Sequence, residues 1–148
     1  MRALAAVASL GAAAACSDLS IDPAIDRITT PIANPSFSGD IEPILKETCA
    51  SSGACHSGPN TPSTMNLDPG QAYASIVNVA TKVSGAAYAP APWRVRPGFP
   101  DSSLFYRVLS EDSLERLGYY RMPLTRFPLP APIRETIENW IANGAPNN

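Results

Sequence analysis

Histidine occurs only once in the 148 residues, as His56, and cysteine occurs only three times. One histidine and the two cysteines beside it do not complete the usual four-ligand set of a structural zinc site. A single histidine also leaves no visible Ser/His/Asp arrangement for nucleophilic catalysis. An enzyme or a metal site is therefore the least supported of three hypotheses for this chain.

Basic residues are few as well. Lys and Arg together number 11 against 13 Asp and Glu, which gives a formal net charge of -2. The basic residues are dispersed along the chain, whereas a nucleic-acid-binding face needs them clustered. We expect no nucleic-acid partner.

The sequence lacks an apolar run long enough for a comfortable transmembrane helix. Its most apolar stretch, residues 1–15, carries one Arg, then an uncharged run of Ala, Val and Leu that ends just before Cys16. This pattern predicts an export signal. Cys16 follows small residues, as in the lipobox of bacterial lipoproteins, which predicts an acylated first residue. Ordinary secretory cleavage and a chain that is not exported stay open as alternatives.

Turn-forming residues are abundant, with 16 Pro and nine Gly. Residues 16–35 are polar and broken by prolines, which predicts a flexible tether between a lipid anchor and a folded domain. Residues 36–148 fit one domain. So many prolines and glycines favour an all-α domain of three to four short helices wrapped by long loops.

Two helices are predicted at the ends of this domain. The first has an apolar face that extends from Phe37 to about Thr48. The helix itself is predicted to begin near Gly39, with Ser38 or Asp40 as its cap. The last runs from Pro130 to Asn143 before a stop at Gly144. Its apolar face should cross the first helix, and it comprises Ile133, Ile137, Trp140 and Ile141.

Two shorter helices are predicted between them. One runs from Pro69 to about Val79, with Asp68 as its cap. The other opens at Asp101 and carries an inner face of Leu104, Phe105, Val108 and Leu109. The residues from Ser84 to Pro100 read as a loop because of their prolines.

The residues with the most distinctive chemistry form one stretch, Cys49-Ala50-Ser51-Ser52-Gly53-Ala54-Cys55-His56. The tighter form Cys-x-x-Cys-His is the signature of c-type haem attachment. Here five residues separate the cysteines, and Ser and Gly among them are residues that turns accept. The stretch predicts a covalent haem site of widened spacing, with the imidazole of His56 against the iron. Such attachment, like a stable disulfide, belongs outside the cytoplasm.

Further residues are candidates for contact with a haem. Trp93, Arg94 and Arg96 could meet the propionates, because arginine offers carboxylates a planar fork of donors; the alternative is that both arginines are solvated. Met122, which precedes Pro123, could supply a thioether to the iron. Its alternative is gap-filling in the core. Met65 lies in the loop closest to the attachment stretch, so Met122 is the preferred ligand.

The order of these motifs resembles the small c-type cytochrome domains of the planctomycete type, which also occur in lipoproteins of other bacteria. The resemblance covers roughly residues 36–145 and rests on the following residues: Phe37, Ile41, Pro43, Ile44 and Leu45, the Cys49–His56 stretch, Pro97, Gly98, Pro100 and Ser102 to Leu104, Met122-Pro123, and Trp140, Ile141, Gly144 and Ala145. It implies an all-helical fold like that of class I cytochrome c around one haem c. It also implies thioether bonds at Cys49 and Cys55, with His56 as proximal and Met122 as distal ligand. Members of the family usually have Cys-x-x-Cys-His, from which this chain departs.

The sequence supports two possible functions. The first is a membrane-tethered monohaem electron-transfer protein of the periplasm or cell envelope, which exchanges electrons with a redox partner protein and breaks no bonds itself. The second is a haem-free envelope lipoprotein, in which a Cys49–Cys55 disulfide closes a short loop, His56 is an exposed surface residue, and the domain acts as a binding or structural module.

Overall fold

The computed structural model describes residues 27–51, 55–82, 91–110, 121–124 and 128–148. The predicted signal peptide and Cys16 lie outside them. The described residues are helical and contain no strand longer than an isolated bridge, which confirms the all-α class for this part of the chain. Its helices are α1 (Glu42–Thr48), α2 (Ala72–Ile76), α3 (Leu104–Ser110) and α4 (Ala131–Ala142), with a π-helical turn at Phe37–Ile41 and 3₁₀ turns at Pro62–Thr64 and Pro100–Ser102.

The first helical segment starts earlier than predicted, because a π-helical turn precedes α1. Ser36 is its N-cap, and its hydroxyl accepts a hydrogen bond from the Gly39 N–H at 3.2 Å. The Asp40 carboxylate accepts hydrogen bonds from both the backbone and the side chain of Ser36. The predicted cap at Ser38 or Asp40 is therefore wrong, and Asp40 instead fixes the residue that does the capping.

The end of α1 positions the first cysteine, as predicted. Pro43 is the second residue of α1, directly after the π-helical turn. Ile44 and Leu45 are fully buried. Cys49 is the C-cap residue, and its N–H donates to the Leu45 carbonyl at 2.9 Å.

The second helix is shorter than predicted at both ends. Gly70 has a φ of +75°, so the turn before α2 cannot be helical. Val77 leaves the helix to form a parallel bridge with Val95. Asp68 does not cap α2 with its side chain, which accepts hydrogen bonds from Ser57 and Gly58 instead.

Residues 93–95 form isolated bridges with two other segments of the chain. Trp93 forms isolated bridges with Ala80 and Ser103. The predicted loop is therefore extended and paired here. The third helix starts at Leu104, three residues later than predicted, because Pro100–Ser102 forms a 3₁₀ turn.

The last helix agrees well with the prediction. Its four predicted apolar residues are buried, and Gly144, with a φ of +93°, follows its end. Trp140 contacts Phe37 of the first helical turn with ring centroids 5.5 Å apart. Tyr73 of α2 packs edge-on against both rings. The predicted contact between the first and last helices is confirmed.

The end of the predicted tether is part of the folded domain. We call residues 28–35 the N-terminal strap. The Ile32 N–H donates to Thr136 Oγ1 at 3.0 Å, and the Asn139 side chain donates to the Ile32 carbonyl at 3.0 Å. Ile28 packs against the core. Polar side chains of α4 therefore bind backbone groups in the segment that the sequence assigned to the tether.

No helix among the described residues combines the length and the apolar character needed to cross a membrane.

Candidate functional site

One backbone hydrogen bond joins the first cysteine to the histidine. The His56 N–H donates to the Cys49 carbonyl at 3.0 Å, so the chain from the end of α1 to His56 closes as a loop. Cys49 and Cys55 are both half-buried. The Thr48 hydroxyl lies 3.2 Å from Cys49 Sγ and also donates to the Ile44 carbonyl at 2.7 Å. The last turn of α1 thus fixes one end of this loop.

The imidazole of His56 is oriented by a carbonyl oxygen. His56 Nδ1 lies 3.3 Å from the Met65 carbonyl oxygen. Because a carbonyl can only accept, this contact assigns the ring proton to Nδ1 and leaves the lone pair on Nε2. Imidazole that ligates a metal usually donates its other ring N–H in this way.

Burial favours the neutral form of this ring. The side chain is half-buried, and this desolvation lowers the pKa of His56; the Met65 hydrogen bond opposes the shift, and the Arg94 charge adds to it. Neutral imidazole is the form that binds metal ions. The haem-free hypothesis placed His56 on the exposed surface, whereas its side chain is half-buried.

The loop after His56 returns to it through a set of hydrogen bonds. The Leu67 N–H donates to the His56 carbonyl at 2.7 Å. The Asp68 carboxylate accepts from the Ser57 hydroxyl at 2.7 Å and from the Gly58 N–H at 2.8 Å, and these two bonds hold the pKa of Asp68 below its usual value. The loop is thereby closed at its base, which holds Met65 beside the imidazole.

The three residues predicted to meet haem propionates have different environments. Arg94 is only 6% exposed, and its guanidinium donates to backbone carbonyls of Ser75 and Thr64. The alternative that both arginines are solvated is wrong for Arg94. Arg96 is exposed and lies over the Phe99 ring, with Cζ 4.3 Å from the ring centroid. Trp93 is 38% exposed.

Met122 belongs to a separate segment after α3. Its N–H donates to the Val108 carbonyl at 2.9 Å, and its half-buried side chain packs against the core. Met65 also packs against the core, but its carbonyl faces Nδ1 of His56. Of the predicted residues, Cys49, Cys55 and His56 therefore belong to one loop, and Arg94 contacts the turn before Met65. Met122 lies on another segment, where it contacts Val108 and the core.

Sequence reasoning missed the groups that support the histidine. These are the Met65 carbonyl, the Thr64 turn and the Asp68 carboxylate. A backbone carbonyl has no residue signature, so no sequence signal could have identified the first. For Asp68 the sequence predicts only a helix cap, a common role of an aspartate at the start of a helix.

Within the described ranges, no group of three or more His, Cys, Asp or Glu side chains is placed to hold a metal ion. Comparisons of the chain with protein families, with curated proteins and with solved structures found no match.

Proposed function

We propose that the protein is a monohaem c-type electron carrier, held at the cell envelope by a lipid on Cys16. The observation that carries the proposal is the closure of the loop from Cys49 to His56 by a 3.0 Å hydrogen bond. Five residues between the cysteines would defeat covalent attachment if the thiols stood far apart. The hydrogen bond instead brings the backbone of Cys49 next to that of His56, the residue that follows Cys55, and both cysteines are half-buried.

The chemistry of the donor set fits one haem. Cys49 and Cys55 would supply thiols for thioether bonds, His56 Nε2 would supply a nitrogen ligand, and Met122 would supply a soft thioether from a separate segment. A haem held this way would contribute one-electron transfer at a potential raised by His/Met ligation.

The chain's own contribution is to orient the ligands and exclude water. The Met65 carbonyl fixes the proton on Nδ1 of His56, which keeps Nε2 available and raises its basicity. Core side chains pack against Cys49, Met65 and Met122. Burial around an iron centre is one of the factors that set its potential.

The partner of such a carrier is another redox protein at the envelope, and no nucleic acid is involved. Trp93 and Arg96 are exposed and remain available for propionate contact. Arg94 has backbone acceptors for its guanidinium.

The first test is expression of the full chain in a periplasm that contains haem-attachment machinery. Absorption spectra before and after acid-organic extraction, with intact mass, should show a haem that stays with the polypeptide and adds the mass of one haem. Haem that is extracted would limit the proposal to non-covalent binding by His56 and Met122. A colourless protein lighter by two hydrogens than its reduced form would overturn it in favour of the disulfide module.

Substitutions at the two proposed ligands test their assignment. His56→Ala should abolish or severely weaken haem retention. Met122→Leu keeps an apolar side chain of similar volume, so it should retain the haem, lower its reduction potential and open the sixth position to added imidazole. Met65→Leu is the matched control, because it removes a thioether on the proximal side, and it should leave the sixth ligand in place. Unchanged spectra in both ligand variants would contradict the assignment.

A further inference from the structure

The buried guanidinium of Arg94 joins two elements next to His56. Nη1 donates to the Ser75 carbonyl at 2.7 Å and to the Thr64 carbonyl at 3.4 Å, and Nη2 donates to Thr64 Oγ1 at 3.4 Å. The planar fork of arginine allows such a bridge, which a lysine ammonium cannot reproduce. Arg94 therefore ties the end of α2 to the 3₁₀ turn at residues 62–64.

That turn includes a residue in an unfavourable conformation. Thr64 has a φ of +54°, which is rare for a β-branched side chain. Backbone hydrogen bonds from Thr64 to Thr61 and from Met65 to Pro62 close the turn. A residue persists in this region only when its surroundings hold it there. The contacts from Arg94 to both the carbonyl and the hydroxyl of Thr64 supply that restraint.

The residue after Thr64 provides the acceptor for the imidazole. Since the Met65 carbonyl lies one residue beyond the clamped turn, a shift of Thr64 moves the oxygen that faces His56 Nδ1. The buried charge of Arg94 also acts directly on the His56 ring. The two effects, hydrogen-bond geometry and charge, can be separated by experiment.

We propose that Arg94 is a positioning residue, whose guanidinium clamps the Thr64 turn so that the Met65 carbonyl stays on His56 Nδ1 and Nε2 is presented to iron. The inference rests on the proposed haem function and refines it. It assigns Arg94 to the support of the proximal ligand and not to the propionates.

The test uses the single histidine of the chain, which gives unambiguous imidazole nitrogen signals in an NMR spectrum of the ¹⁵N-labelled, haem-free full chain. The spectrum is recorded at a pH where the ring is neutral. Three variants are compared with the wild type: Arg94→Met removes the clamp and the charge, Arg94→Lys keeps the charge without the fork, and Lys82→Met removes an exposed positive charge.

Wild type and Lys82→Met should show the shifts of one tautomer, protonated on Nδ1. In Arg94→Met and Arg94→Lys the two nitrogen shifts should move toward each other, because both tautomers become populated. If Arg94→Met does not fold, Arg94→Lys decides alone. Wild-type shifts in folded Arg94→Lys would overturn the clamp.

A second readout uses the haem-loaded protein. Loss of the Nδ1 hydrogen bond makes the proximal nitrogen a weaker donor, so Arg94→Lys should shift the reduction potential from the wild-type value while Lys82→Met should not. A potential unchanged in Arg94→Lys contradicts the inference. Failure to attach haem in the wild type would instead contradict the proposed function. The NMR result on the haem-free chain would still test the Arg94 clamp independently.

Discussion

Tyr106 connects α3 to α4 through one short hydrogen bond. Its hydroxyl donates to Glu138 Oε2 at 2.7 Å. Burial first, and then this hydrogen bond and the charge of Glu138, raise the pKa of Tyr106 to about 12. The hydroxyl therefore stays protonated in the folded protein at pH values where a free tyrosine ionises.

This shift predicts a loss of stability in alkali. The unfolded chain releases the tyrosine proton near its ordinary pKa of about 10, before the folded protein does. The contribution of Tyr106 is thus complete below that pH and is lost as the pH rises toward 12. Urea unfolding of wild type and Tyr106→Phe at a series of pH values should show a stability difference that shrinks above pH ~10. A difference independent of pH would contradict the assignment.

At the level of single residues, the sequence identified the groups with distinctive chemistry but not their supports. His56 and both cysteines stand out because each residue type is rare in the chain. The orientation of the imidazole could not be predicted, since it depends on a backbone carbonyl nine residues away in the sequence. Arginine usually lies at the surface, so the sequence does not predict the burial of Arg94.

The four helices could be predicted because apolar periodicity identifies them, whereas their ends depend on contacts that periodicity does not contain. Val77 leaves α2 for a partner in a distant segment, Val95. At the first helix, the cap depends on a close approach between Ser36 and Gly39. A Cβ at position 39 would come within 2.7 Å of Ser36 Oγ. The sequence signal for this cap is therefore Ser36 together with Gly39, since neither residue alone identifies it.

Removal of this cap predicts a measurable loss of stability. Ser36→Ala leaves the Gly39 N–H without its acceptor and removes one of the two hydrogen bonds that the Asp40 carboxylate accepts from Ser36. We expect a loss of about 1 kcal/mol in the free energy of unfolding, the usual value for an N-cap serine. Ser38→Ala is the comparison, because the sequence favoured that position and its hydroxyl makes only an exposed bond to Asn148. Chemical denaturation should show the larger loss for Ser36→Ala, and the reverse order would contradict the cap.

In the whole molecule, one aromatic cluster joins three elements that are far apart in the chain. Phe37, Tyr73 and Trp140 pack together from the π-helical turn, α2 and α4. The Tyr73 hydroxyl donates to the Ala145 carbonyl, and Trp140 Nε1 donates to the Pro146 carbonyl. The cluster closes the domain around its two terminal helices, as their apolar faces predicted.

Trp140→Ala tests how much this aromatic cluster contributes to the free energy of unfolding. Trp140 is fully buried, and truncation of a buried tryptophan costs about 3–5 kcal/mol through lost burial and the cavity left behind. Leu124→Ala is the control, because that side chain is 58% exposed and its loss should change the free energy of unfolding by less than about 0.5 kcal/mol. Similar denaturation midpoints for the two variants would show that Trp140 does not hold the domain together.

The N-terminal strap determines where a mechanical load enters the domain. If a lipid on Cys16 holds the chain at a membrane, a pull passes the core contact of Ile28 and then reaches Ile32, whose backbone is hydrogen-bonded to Thr136 and Asn139 of α4. The next bond, from Asn143 to the Ala33 carbonyl, also lies on that side of the molecule. The load is therefore borne by α4 before it reaches α1, whose last turn carries Cys49. The loop that holds the cysteines and His56 is mechanically separated from the anchor by the longest helix among the described residues.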